Sequence, residues 1–134
     1  MEPSKIVVRY ADGRILRGYT QEFSPDQPHF YLYPGDPETS KKPLRVSLKE
    51  LKAIFFVRDF LGNPKSREPK KIPDRVKVFG RKVEVTFKDQ EVLVGSILDS
   101  EPQGKGFFLF PTNSRSNNVM IFAVSEAVLN IRFL

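Results

Sequence analysis

Short runs of alternating apolar and polar residues, interrupted by proline and glycine, dominate the chain. Ile6, Val8 and Tyr10 alternate with Val7 and Arg9, which predicts a strand. Asp12-Gly13 follows, a pair that favours a type I′ hairpin turn. A second strand is expected over residues 14–23, and Gly18 in its middle predicts a bulge or a sharp bend. Pro25 and Pro28 deny ladder donors to residues 24–28 and make them a loop. Residues 29–33 read as a third strand stopped by Pro34, and a polar loop over 35–43 leads to a fourth at Leu44–Ser47. Residues 48–51 fit a single helical turn, and residues 53–57 a fifth strand.

The same scheme then returns. Placing Ile6 over Val83 sets an offset of 77 residues, and without any gap the register holds to the end. Val8 meets Val85, Asp12 meets Asp89, Gly18 meets Gly95, Phe30 meets Phe107, Leu32 meets Leu109, Ile54 meets Ile131 and Phe56 meets Phe133. Ten identities accumulate over residues 6–56, and most other core positions exchange one apolar residue for another. An internal duplication is expected. The second set of strands is predicted over residues 83–87, 92–98, 107–110, 119–124 and 128–133, with a turn at Ser125–Ala127.

The opening of each copy resembles the Sm-like (LSm) domain. That family alternates apolar residues, then places Asp-Gly-Arg, then a glycine about five residues later. Residues 8–18, Val-Arg-Tyr-Ala-Asp-Gly-Arg-Ile-Leu-Arg-Gly, are similar throughout. Residues 85–95 share the pattern with Gln90 in the glycine position. Where the family carries its RNA-contacting Asn, this chain has Phe30-Tyr31-Leu32 and Phe107-Phe108-Leu109, and the family's Arg-Gly pair before the last strand is absent from both copies. The role of a ring-forming RNA chaperone is therefore not carried over. The chain is also similar to uncharacterised bacterial domains in which such a barrel is attached to other modules. The expected fold is all-β: two tandem SH3-like (Sm-like) five-stranded small barrels. The first occupies residues 1–57 and the second 83–134, joined by a basic, proline-containing linker over 58–82. A unit of roughly fifty residues is marginal alone, so the barrels are expected to contact each other.

Charge sharpens the picture. The net +6 resides in the middle: residues 1–57 carry +2, residues 83–134 carry −2, and residues 58–82 carry +6. Lys65, Arg67, Lys70, Lys71, Arg75 and Lys77 lie among Pro64, Pro69 and Pro73, which favour an extended backbone. Cations spaced in this way suit a polyanion, and they also suit a solvated tether. The chain has no cysteine, which excludes disulfides, thiolate zinc sites and cysteine nucleophiles and makes the cytoplasm the expected compartment. Neither a membrane span nor a signal peptide is expected.

Little in the sequence resembles catalytic machinery. His29 is the only histidine, and its counterpart in the second copy is Gly106. Asp12 and Asp89 recur, as Asx-type turn formers would. Gly104-Lys105-Gly106 leads into Phe107-Phe108, a strand rather than the helix that a phosphate-binding loop requires. No catalytic, cofactor or metal residues are assigned. The aromatic residues Phe30, Tyr31, Tyr33, Phe107, Phe108 and Phe110 line both faces of the third strands: one face is expected to point inward and the other to bury the contact between copies, with base stacking as the alternative. The expected function is a non-enzymatic binding or adaptor module that recognises a protein partner through loops or an exposed strand edge. The alternative is RNA or single-stranded nucleic-acid binding through the basic linker. Oligomeric state is left open.

Overall fold

A computed structural model describes residues 3–34, 42–60, 80–98, 104–112 and 116–134. Its strands are β1 (Ser4–Tyr10), β2 (Ile15–Thr20), β3 (His29–Leu32), β4 (Leu44–Ser47) and β5 (Leu51–Val57), then β6 (Arg81–Phe87), β7 (Val92–Ile97), β8 (Gly106–Leu109), β9 (Asn118–Val124) and β10 (Val128–Phe133). A 3-10 turn precedes the last strand of each half, at Leu48–Glu50 and Ser125–Ala127. The chain is all-β, and one order of elements occurs twice. β6 opens at Arg81, inside the segment read as linker, because Arg81 and Lys82 continue the alternation of Val83, Val85 and Phe87 outward.

Five strands form a sheet in the order β2-β1-β5-β9-β8, three form β10-β6-β7, and two form β3-β4. Every neighbouring pair is antiparallel. Isolated bridges at Tyr19–Tyr33 and Ser96–Phe110 tie β2 to β3 and β7 to β8. None of these sheets closes into a barrel. The reason lies at the centre: β5 uses one edge on β1 and the other on β9, so the edge that closure of the first half would need belongs to the second half.

The turns differ from the expected type. Gly13 N–H donates to the Tyr10 carbonyl at 3.0 Å, and Tyr10 N–H donates to the Arg14 carbonyl at 2.9 Å. Gly13 alone in this turn has positive φ, at 98°, whereas a type I′ turn needs two such residues. The hairpin is a type I turn closed by a left-handed residue. Asp12 fixes it by accepting the Arg14 N–H at 3.0 Å. In the second half the left-handed position falls to Gln90, at φ 77°. A side chain there costs about 1–2 kcal/mol, and glycine's greater unfolded freedom returns about half of that. Gln90→Gly is therefore expected to stabilise the protein by about 0.5–1 kcal/mol, read as a higher urea midpoint at unchanged slope. An unchanged or lower midpoint would show that Gln90 is not strained.

Gly18 and Gly95 mark no bulge, since the β1–β2 and β6–β7 registers run through them without a shift. They admit a close crossing. A Cβ on Gly18 would lie 2.4 Å from the Tyr33 carbonyl oxygen, and one on Gly95 would lie 2.4 Å from that of Phe110. Both glycines sit beside the isolated bridges, so they let the third strand of each half lie directly over the second.

Two apolar cores result, and each draws on both halves. The first gathers Ile6, Val8, Leu32, Val46, Ile54 and Phe56 with Phe122 and Val124 from β9. The second gathers Val83, Val85, Phe87, Leu109 and Ile121 with Ala53, Phe55 and Val57 from β5. β5 and β9 thus present alternate residues to different cores, which is why the run at 51–57 is buried throughout rather than on one face. Phe23 lies at the centre of an aromatic group, with ring centroids 5.5 Å from Phe30, 5.7 Å from Phe56, 6.3 Å from Phe108 and 5.1 Å from Phe122. Phe108 packs against the first core, whereas Tyr31 stands exposed on β3.

Candidate partner-binding edges

Where β1 meets β5 the register shifts between Arg9 and Tyr10, leaving Lys52 as the extra residue. The bulge turns Lys52 into the junction between halves, where it is only 6% exposed. Its ammonium meets Asp89 Oδ2 at 2.7 Å, donates to Glu91 Oε1, and sits 5.0 Å from the Phe87 ring centroid. Arg9 reaches Glu91 at 4.0 Å and lies over Phe55. The hydrogen bond from Lys52 holds the Asp89 carboxyl below its ordinary value of 3.8, helped by the Glu91 N–H. Both carboxylates are already engaged within the chain, so the cluster is a clamp between halves. A lone lysine inside the run Leu51-Lys52-Ala53-Ile54-Phe55 was the available signal for it.

Beside this junction, a cavity of about 340 Å³ opens between the halves, lined by His29, Ser47 and Lys49 on one side and Lys105, Ser125 and Glu126 on the other. His29 accepts at Nδ1 from the Arg45 guanidinium at 3.2 Å. Lys105 donates to the Asp26 carbonyl at 3.2 Å, and Gly104, at φ 78°, forms the turn that opens β8. Asp89, like Asp12, accepts the N–H two residues on, at 3.0 Å, in an Asx-type turn. Among the described residues, no three His, Asp or Glu converge to hold a metal ion, and no helix is long and apolar enough to cross a membrane. Lys65, Arg67, Lys70, Lys71, Arg75 and Lys77 lie outside the described residues. So does most of the polar loop over 35–43 and part of its counterpart at 113–118.

The remaining features are the outer edges. β4 ends the two-stranded sheet and β10 ends the three-stranded one, and among the described residues no strand pairs with the far side of either. Leu48 N–H donates to the Pro28 carbonyl at 3.0 Å. Antiparallel alternation then turns the main-chain N–H and C=O of Ser47 and Arg45 outward. Leu134 N–H donates to the Lys82 carbonyl at 3.0 Å, which likewise turns those of Phe133 and Ile131 outward. Apolar side chains accompany both edges: Leu44 is 44% exposed, Leu129 58%, Phe133 37% and Leu134 56%. The sequence showed these residues as ordinary strand positions, and their exposure follows only from the sheet order.

The chain is thus an all-β protein in which one strand from each half, β5 and β9, pair at a shared centre and in which, among the described residues, two edges stay open. A family match spans residues 2–134, and the chain belongs to that family, a family of unknown function (DUF6982). No curated protein and no solved structure matches the chain.

Proposed function

We propose that the protein is a non-enzymatic binding module that recognises a protein partner by strand addition at an open edge. The observation that carries this reading is the pair of outward-facing ladders on β4 and β10, each flanked by exposed apolar side chains. The twice-repeated order of elements supports reading each half as an open, SH3-like or Sm-like unit derived by duplication. Main-chain hydrogen bonds would supply the generic affinity of such an edge, and the side chains beside it the selectivity.

Hydrogen exchange tests this on the intact chain with a partner captured from a lysate. Partner binding is expected to protect the outward amides of Arg45 and Ser47 or of Ile131 and Phe133, with β5 and β9 unchanged because their amides are already paired. Protection confined to other surfaces would overturn the strand-edge reading.

A further inference from the structure

We infer that the β4 edge selects an extended segment whose acidic residues alternate with apolar ones. This rests on the strand-edge reading above and names the partner's chemistry.

The argument comes from comparing the junction the chain makes with the edge it leaves open. On β9, Phe122 pairs with Ile54 of β5, and its ring enters the first core beside Phe23. The offset of 77 residues places Arg45 of β4 where Phe122 stands, and Ile131 and Phe133 where Ile54 and Phe56 stand. The open edge therefore carries a guanidinium where the closed junction carries a phenyl ring. A second copy docking its β10 in the same way would press Arg45 against Ile131 and Phe133, over an apolar core. Glu84, on the strand next to β10, already holds Arg132 at 3.0 Å. A buried guanidinium without a carboxylate is strongly unfavourable, so the exchange of Phe for Arg discourages stacking of copies.

The same residue welcomes an acid. Arg45 shares its face with Tyr31 and, through the register, lies near Ser47 and His29. All four are on the side of β3-β4 turned away from the core, and among the described residues Arg45 has one side-chain hydrogen-bond partner, the His29 ring. Lys49 and Lys105 line the cavity at the Ser47 end. On the other side, Leu44 is half-exposed beside buried Val46. An added strand puts residues i and i+2 on one face. Its carboxylates would run along Arg45 towards the two lysines, while its apolar residues would continue the first core past Leu44.

Labelled peptides alternating valine with glutamate or valine with lysine test this by fluorescence anisotropy against the full chain. The glutamate peptide is expected to bind at least about tenfold more tightly than the lysine peptide. Arg45→Glu should reverse that preference. Ser47→Pro removes an outward N–H at a position with φ −94°, so it should abolish binding of both peptides while leaving the tyrosine near-UV signal intact. Equal binding of the two peptides, lost in Ser47→Pro, would overturn the acidic selectivity and leave the strand edge standing. No binding of either would overturn the assignment of β4 altogether. Sedimentation over a wide concentration range is expected to show a monomer. Self-association abolished by Ser47→Pro would make a second copy the occupant and overturn the inference.

Discussion

Phe122→Ala is expected to destabilise the protein by about 3–5 kcal/mol, the range for removing a fully buried aromatic ring. That is a large part of the roughly 5–15 kcal/mol that holds a typical domain together, so much of the protein could unfold at ambient temperature. The location of the damage is as informative as its size. Phe122 belongs to β9, yet its ring lies 5.1 Å from both Phe23 and Phe108 and completes the core of the first half. All four tyrosines, at 10, 19, 31 and 33, are in that first half. Their near-UV signal therefore reports on a region far from residue 122 in sequence. Urea unfolding followed by near-UV and far-UV circular dichroism should show both signals shifting together to lower denaturant. A tyrosine transition that stays at its wild-type midpoint would mean that the halves fold independently and that the shared cores do not couple them.

Lys52→Glu is expected to cost about 3 kcal/mol, because it buries a carboxylate beside Asp89 and Glu91 in place of their common cation. Lys52→Met is the informative control: it fills the space without a like charge, and should cost distinctly less. Equal stability of the two variants would remove electrostatics from the account of this junction. The clamp also predicts a pH dependence with a definite sign. Lys52 lowers the Asp89 carboxyl in the folded state, so near its ordinary value of 3.8 the unfolded chain binds this proton more readily than the native one. The contribution is fully present above that value and is lost as pH falls through it towards the folded value. In Lys52→Met the acid limb of the stability curve should be shallower between about pH 5 and pH 2. An acid limb identical to that of the wild type would show that Asp89 gains nothing from Lys52.

Strand identity was largely legible because alternation in this chain is local and is punctuated by proline and glycine. That one order of strands and turn occurs twice was equally legible, since a single register carries Asp12, Gly18, Phe30 and Ile54 onto Asp89, Gly95, Phe107 and Ile131. What the sequence concealed was connectivity. Phe55 and Ile54 are both apolar, and nothing local says that one faces the second core and the other the first. The continuous apolar run over 53–57 was the clue, since a strand covered on both faces loses its alternation. The turn type was misread because Asp-Gly serves both a type I′ turn and a type I turn closed by a left-handed glycine; the backbone of Asp12 decides between them. Of the candidate site, the aromatic third strands were visible, but the open edges were not. Leu44, Leu129 and Leu134 look like core residues until the order of strands leaves them outside.

The central pairing of β5 with β9 also has a consequence during synthesis. Once residues 51–57 leave the ribosome, β1 can cover one edge of β5 at once, because the two are close in sequence. The face made by Ala53, Phe55 and Val57 belongs to a core to which the first half otherwise adds only the partly buried Val7 and Phe60 among the described residues, the rest coming from residue 83 onward. At typical elongation rates of about 5–20 residues per second, that apolar face waits several seconds for residues 118–124 to be made. A nascent chain stalled before Asn118 should therefore be markedly more prone to aggregate and to recruit chaperones than one released after Val124.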